Sequence, residues 1–236
     1  MKAPVTTAKE ALFIETGKLP MQIIISMRRI MYWWHILKQD KSSMIYKVYD
    51  AERNKPVKGD WIHLLEKDKK EFDIVIEDDE MLERFKSKYS IKSYISKKAK
   101  IIAFDYLQRL KMKHSKIDGI NFEEVKCSEY ILDPQLNKKE VRLLFKLRTR
   151  MYNVKANFSS MYNFNLLCDL CKSQICSQEH LMQCKVLKLS VPELVQNTDV
   201  KYHHIFESIS NMVSAIKLLS KVISIRVELL EAKSDM

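Results

Sequence analysis

Apolar residues recur along most of this chain at spacings of three and four, which is the period of an amphipathic α-helix. The segment from about Pro20 to Lys38 is apolar nearly all round, as is typical of a helix at the centre of a core. A narrower stripe within residues 86–116 comprises Ile91, Ile95, Ala99, Ile102, Tyr106 and Leu110. Another apolar stripe, between about His203 and Ala232, comprises Ile205, Ile209, Met212, Ile216, Leu219, Ile223 and Leu230.

Residues that favour helix N-termini mark where several shorter helices begin. Ser42 or Ser43 can cap a helix that runs to about Asn54, and Asp60 can cap the helix that follows. Asn137 can cap a further helix through residue 147. Because the chain holds only 3 Gly and 5 Pro, long helices are favoured over many short strands joined by turns.

The apolar stripe of the last predicted helix steps by four and three over roughly four heptads, interrupted at Arg226. Such a stripe is commonly explained by packing against the rest of the same chain. The alternative is a dimer formed through this helix. The pattern itself is compatible with both arrangements.

Composition is that of an ordinary soluble globular protein, with 46% apolar and 30% charged residues. The net charge is +11, from 41 Lys and Arg against 30 Asp and Glu. A polyanionic partner is one explanation, because basic side chains displace the counterions condensed on a phosphate backbone. The other is a lysine-rich surface without a specific partner.

The sequence predicts an intracellular protein, nuclear or cytoplasmic, that has no membrane partner. Residues 1–4 lead directly into polar residues rather than into the apolar segment of a secretory signal. The most apolar stretch, residues 19–37, is interrupted by Arg28, Arg29 and His35 and is a poor membrane span. In a reducing compartment, cysteines serve metal sites or cores more often than disulfides.

Four of the five cysteines lie close together, with one histidine among them. The pattern Cys168-x2-Cys171-x8-His180-x3-Cys184 has the spacing of a small zinc module. Cysteines separated by two residues form a tight turn in which both thiolates reach one ion. His180 and Cys184 are four apart, so they share one face of a short helix predicted for residues 178–188 and supply the other two ligands.

Other interpretations of the cysteines stay open at this point. They could be buried free thiols or a redox pair, although a redox Cys-x2-Cys needs a thioredoxin-type strand and helix that the surrounding sequence lacks. Cys176 could replace His180 as a ligand, but we expect it to be a bystander because it falls in the predicted loop. Cys127 is remote in sequence and is expected to be a small buried hydrophobic residue.

The sequence shows no constellation typical of an enzyme, and we expect neither catalysis nor a small-molecule substrate. The glycines are too few for a phosphate-cradling loop. The histidines outside the cysteine cluster have no partners at ligand or triad spacing. The acidic run Glu77–Glu80 is explained by the start of a helix, where carboxylates favour the positive end of the helix dipole.

Two basic clusters are candidates for nucleic-acid contacts. One precedes the cysteines and comprises Arg142, Lys146, Arg148, Arg150 and Lys155. The other lies opposite the apolar stripe of residues 86–116 and comprises Lys97, Lys100 and Lys111.

Arg148 and Arg150 point in different directions on a helix, so at least one should be exposed. Phe158, Tyr162 and Phe164 could stack on bases or pack the cysteine region onto the helices. Either basic cluster could also be an ordinary solvated face.

Several segments resemble the region after the polymerase thumb, and the tail beyond it, in non-LTR retrotransposon reverse transcriptases. The resemblance covers about residues 8–187, and its most specific parts are the cysteine cluster and the run Leu147-Arg148-Thr149-Arg150. The other similar segments are Ala11-Leu12-Phe13-Ile14-Glu15-Thr16-Gly17, Leu19-Pro20, Met27-Arg28-Arg29-Ile30-Met31-Tyr32, Ile45-Tyr46-Lys47, Lys58-Gly59-Asp60-Trp61, Leu144-Phe145-Lys146 and Asn157-Phe158.

The resemblance implies a tail that grips template RNA or target DNA during target-primed reverse transcription, with Cys168, Cys171, His180 and Cys184 as zinc ligands. The polymerase fingers and palm and the endonuclease of the family have no counterpart here, which implies a fragment, a degenerate copy or a host protein derived from an element. The x8 spacing is longer than that of a retroviral knuckle, so the retroviral mode of base binding does not carry over.

Together these features predict a mostly α fold, a helical bundle with a small zinc knuckle inserted before the C-terminal helices. We expect a helical region over residues 1–156, the knuckle over 157–190 and the C-terminal helices over 191–236. The predicted function is non-catalytic binding of zinc and of RNA, single-stranded DNA or target DNA. The alternative is a protein–protein interaction module in which zinc is a structural staple and the last helix is the contact surface.

Overall fold

The computed structural model describes residues 9–55, 57–113, 117, 120, 122–159, 165–196 and 202–234. This part of the chain is mostly helical, as predicted, and its β contacts are isolated bridges. Within these residues, no helix is both long enough and apolar enough to cross a membrane.

The α-helices follow one another with short connections. In chain order they are α1 (Lys9–Thr16), α2 (Met21–Leu37), α3 (Met44–Asn54), α4 (Trp61–Glu71), α5 (Asp78–Arg84), α6 (Lys88–Lys111), α7 (Glu129–Leu132), α8 (Lys138–Arg148), α9 (Gln178–Gln183), α10 (Lys185–Ser190), α11 (Glu193–Gln196) and α12 (Ile209–Ser234). Two 3-10 turns cover Lys155–Phe158 and Tyr202–Phe206.

The chain forms two compact units, each assembled from separate segments. The middle unit consists of Gly17–Leu110 and Phe122–Val125. The cysteine unit consists of Met1–Thr16, Lys111–Asn121 and Lys126–Met236. This division differs from the three consecutive regions expected from the sequence, because the cysteine region and the C-terminal helices share one core with α8.

In the middle unit, α2 lies at the centre and packs against α3, α4 and α5. Both predicted caps in this unit are present. The Ser43 hydroxyl accepts a hydrogen bond from the Tyr46 amide, and the Asp60 carboxylate accepts one from the His63 amide. These contacts satisfy amides of the first turns that have no partner within the helix, which is why α3 and α4 begin where they do.

The predicted stripe of α6 is confirmed in its first half and wrong in its second. Ile91, Ile95 and Ala99 are buried, but the buried face continues through Ala103 and Leu107, and Tyr106 is exposed. A stripe that steps by four throughout slants around the helix, because residues four apart differ by about 40°. Oblique packing against neighbouring helices favours such a slanted ridge.

In the cysteine unit, α12 packs against α7, α8 and α10. Met212, Ile216 and Leu219 are buried, so that part of the predicted stripe packs within the chain. Farther on, Val222 is buried in place of the predicted Ile223. The predicted single helix over 203–232 is interrupted, because the 3-10 turn ends before α12 begins. Asn137 caps α8 in a reciprocal capping box with Glu140.

An ion pair with a buried carboxylate joins α1 to α8 within the cysteine unit. The Glu15 side chain on α1 is fully buried, and its carboxylate accepts a hydrogen bond from Arg148 Nε on α8 at 2.8 Å. The Arg148 guanidinium lies 5.6 Å from the ring centroid of Tyr130 and 5.9 Å from that of Phe206. The attraction of the Arg148 guanidinium offsets the cost of removing the Glu15 carboxylate from water.

We expect Arg148→Ala to lower the free energy of unfolding by about 3–5 kcal/mol, because it leaves the Glu15 carboxylate buried without its partner. Urea unfolding of the full chain measures the change. The matched control is Arg142→Ala, an exposed arginine on the same helix, which should change stability by less than about 0.5 kcal/mol. Equal stability of the two variants would contradict a structural role for the pair.

Candidate metal centre

The structure brings together the four residues that the spacing predicted. Three thiol sulfurs and one imidazole nitrogen, from Cys168, Cys171, Cys184 and His180, all lie within 4.8 Å of one another. Cys168, His180 and Cys184 are buried, whereas Cys171 is partly exposed. Four side chains, two from a turn and two from α9 and the residue that follows it, therefore converge on a single point.

The first two cysteines stand at the start of a narrow hairpin. Its two sides meet in an antiparallel bridge between Leu167 and Ile175, and the Cys176 amide donates to the Leu166 carbonyl at 2.8 Å. The turn itself closes where the Lys172 amide donates to the Cys168 carbonyl at 2.8 Å. Lys172 has a φ of 56°, the left-handed conformation that reverses the chain.

The other two ligands come from α9 and its end. The Ser177 hydroxyl caps α9 by accepting from the His180 amide at 3.1 Å, which places His180 in the first turn. The predicted helix over 178–188 breaks at Cys184, whose ψ of 121° separates α9 from α10. Cys184 is therefore not on the face of a continuous helix. It still returns to His180, because its amide donates to the His180 carbonyl at 2.8 Å.

The donor set fits a tetrahedral metal ion. Metal–sulfur bonds of about 2.3 Å and metal–nitrogen bonds of about 2.0 Å require sulfurs about 3.8 Å apart and a sulfur–nitrogen distance of about 3.5 Å. Cys171 Sγ lies 3.3 Å from His180 Nε2, close to that value. The other ring nitrogen, Nδ1, is 2.8 Å from Gln174 Oε1. Nε2 is thus the nitrogen that faces the thiols.

The surroundings of Cys171 and Cys184 shift the pKa values of their thiols in opposite directions. Burial raises the pKa of Cys171, but hydrogen bonds from Ser173, His180 and Cys168 outweigh it and lower that pKa to about 6. Burial, together with the nearby charges of Cys168 and Cys171, raises the pKa of Cys184 to about 11. A bound cation would remove this repulsion between thiolates, so the cluster is electrostatically suited to a divalent metal.

The remaining two cysteines lie outside the cluster. Cys176 is buried in the apolar core, and its sulfur is 3.7 Å from Arg226 Nη2. Its backbone carbonyl accepts from the Ala156 amide at 3.0 Å. The expectation that Cys176 is a bystander agrees with this placement. Cys127 was expected to be buried but is partly exposed. The part of its side chain that is removed from water is enough to raise the pKa of its thiol.

The predicted basic cluster before the cysteines is divided by the structure. Arg142 is exposed, and Lys146 is partly exposed. Arg148 is committed to the buried Glu15, so we withdraw it as a candidate phosphate contact. Arg150 is ion-paired with Glu179, and Lys155 donates to Asp169 at 2.7 Å. Arg150 is exposed and Arg148 is not, which agrees with the prediction that at least one of the two is exposed.

The other candidates are dispersed. Lys97 and Lys100 are exposed on α6 in the middle unit, whereas Lys111 at the end of α6 is partly buried and belongs to the cysteine unit. Phe158 is partly buried. Tyr162 and Phe164 lie outside the described residues, so the choice between base stacking and packing remains a prediction for both.

Two features were missed by the sequence interpretation. Lys138 and Lys139 are exposed on α8, and the spacing of Lys138, Arg142 and Lys146 at four-residue intervals could have identified one basic face. Gln174 contacts His180 from the hairpin, and no sequence pattern marks such a residue.

Comparison of the chain with protein-family models, with curated proteins and with solved structures found no match. The four-residue cluster and its geometry are therefore the evidence from which a function can be argued.

Proposed function

We propose that the cluster binds one zinc ion as a structural site and that the unit it stabilises is a non-catalytic nucleic-acid-binding module. The observation that carries this proposal is the convergence of three thiols and one imidazole within 4.8 Å. Zinc favours this donor set and tetrahedral geometry, and soft thiolate ligands disfavour magnesium and calcium.

Four protein ligands would complete the coordination of the ion and leave no position for a water or a substrate. Such closed sites are typical of structural zinc, whereas catalytic zinc keeps one position open. This donor count supports a structural rather than a catalytic role for the metal ion.

The ion would stabilise more than the hairpin. Cys168 and Cys184 lie in the same apolar core as Leu219 and Val222 of α12. Near the end of α12, Lys233 Nζ donates to the Leu170 carbonyl, between the first two ligands, at 3.1 Å. Zinc bound to comparable small modules contributes on the order of 10 kcal/mol of folding energy. Docking of the second half of α12 should therefore depend on the ion.

We expect the purified chain to hold one zinc ion, measured by elemental analysis after dialysis against a weak chelator. Cys168→Ser and Cys184→Ser should each lose the ion, because a hydroxyl is a poor replacement for a thiolate ligand. The matched controls, Cys127→Ser and Cys176→Ala, should retain it. Loss of zinc from Cys176→Ala but not from His180→Ala would show that the ligand set is wrong.

The nucleic-acid part of the proposal is supported by one face of α8 and by the net charge of +11. Lys138, Lys139, Arg142 and Lys146 fall within an arc of about 100° around the helix axis. The buried Leu144 and Leu147 lie on the opposite side, and the buried Phe145 borders the arc. Glu140 lies outside the arc, and its carboxylate accepts a hydrogen bond from the Asn137 amide in the capping box. The arc therefore presents cations without an intervening carboxylate.

This basic face ends beside the metal centre. The Lys146 carbonyl accepts hydrogen bonds from the Met151 and Tyr152 amides and from Gln178 Nε2 at the start of α9. A phosphate backbone lying along α8 would thus reach the cysteine module. There it would meet Arg150 and Lys155, whose carboxylate partners compete with phosphate, so we assign both a secondary role.

The resemblance to the tail of non-LTR retrotransposon reverse transcriptases supports the same proposal, because that tail grips template RNA or target DNA. The interaction-module alternative relied on the last helix as a contact surface. Much of its apolar stripe is already buried within the chain, so the observations favour the nucleic-acid proposal.

We expect micromolar, weakly sequence-specific binding to single-stranded RNA or DNA that weakens as salt rises. Replacing Lys138, Arg142 and Lys146 together by Ala should flatten the plot of log affinity against log salt by about two units, because each phosphate contact on a single strand contributes about 0.7. Binding measured by fluorescence anisotropy at several salt concentrations gives this slope.

A charge-matched control separates a specific face from general attraction. Replacing the exposed Lys41, Lys47 and Lys58 of the middle unit by Ala lowers the net charge equally and should leave the slope nearly unchanged. Equal effects of the two triple variants would indicate diffuse attraction. If neither variant changed binding, or if the parent chain bound no nucleic acid, the protein-interaction alternative would be favoured.

A further inference from the structure

Gln174 contacts both halves of the ligand set. Its side-chain oxygen lies 2.8 Å from Nδ1 of His180, the ring nitrogen that faces away from the thiols. Its backbone carbonyl accepts a hydrogen bond from the amide of Cys168, also at 2.8 Å. One residue of the hairpin therefore connects the turn that carries the first cysteines with the helix that carries the histidine.

We infer that Gln174 is a positioning residue of the metal centre, which fixes the tautomer and the orientation of the His180 imidazole. This inference rests on the proposed metal-binding function. When the amide oxygen accepts from Nδ1–H, the lone pair of the neutral ring is on Nε2. Nε2 is the nitrogen 3.3 Å from Cys171 Sγ. The hydrogen bond thus holds the ring with its Nε2 lone pair directed at the position of the ion.

The surroundings of the contact make a clean test possible. Gln174 itself is exposed, so its side chain can be replaced without opening a cavity in the core. The contact between its carbonyl and Cys168 belongs to the backbone and persists in every variant. The substitution therefore removes the interaction with the imidazole alone.

The test compares Gln174→Leu, which removes the acceptor, with Gln174→Glu, which retains an acceptor oxygen. Gln183→Leu is the matched control, because Gln183 is an exposed glutamine at the end of α9 whose side chain makes no hydrogen bond to another described residue. Zinc affinity is measured by competition with a chromophoric chelator. Outer-shell partners of zinc ligands contribute about 10–100-fold to affinity. Because water can partly replace an exposed amide, we expect Gln174→Leu to lose about tenfold, at the low end of that range.

Two further readouts distinguish positioning from general destabilisation. In Gln174→Leu, cobalt absorption should shift relative to the parent chain, because the orientation of the imidazole is no longer fixed. Nuclear magnetic resonance of the His180 ring should show the Nδ1 proton exchanging faster with water. Gln174→Glu should restore the affinity, the cobalt spectrum and the protection of that proton.

The outcomes of these experiments distinguish the role of Gln174 from metal binding itself. A parent chain that takes up neither zinc nor cobalt overturns both. If the parent chain binds one ion and Gln174→Leu matches Gln183→Leu in affinity and cobalt spectrum, metal binding stands and the role of Gln174 is overturned. Failure of Gln174→Glu to rescue a weakened Gln174→Leu site also overturns it.

Discussion

The burial of Cys168 and Cys184 in the same core as α12 is the constraint on which the cysteine unit depends. Burial and, to a lesser extent, the nearby charges of Cys168 and Cys171 raise the pKa of Cys184, so the cluster disfavours the simultaneous ionisation of its thiols. Apolar packing of the helix therefore holds the ligands together against their own electrostatics. An ion that neutralised them would strengthen the same core, so metal affinity and helix docking should rise and fall together.

Local features of this fold were predictable from the sequence. Ser43, Asp60 and Asn137 each cap the helix they were expected to cap, because a cap depends on an amide two or three residues away. The convergence of the three cysteines and the histidine was predictable for the same reason, since these four potential ligands span a short stretch of the sequence.

Features set by distant partners were not predictable. The second half of the α6 stripe depends on the direction in which neighbouring helices cross it. The helix breaks at Cys184, between α9 and α10. The sequence gives no sign of this break, because the helical spacing of apolar residues continues through Cys184 without a glycine or proline. Arg148 and Arg142 look alike in sequence, and only the fold reveals that one faces a buried carboxylate and the other faces water.

The ion pair between Glu15 and Arg148 spans 133 positions of the chain. During synthesis, at about 5–20 residues per second, Glu15 is added to the chain roughly seven to twenty-seven seconds before its partner. Both segments of the middle unit lie between these two residues in sequence and are synthesised before Arg148 is added, so this unit can fold first. The cysteine unit must wait for its last segments, and α1 spends that interval with the partner of its carboxylate not yet made. Ribosomal pausing within the middle unit would lengthen that exposure without changing the finished protein.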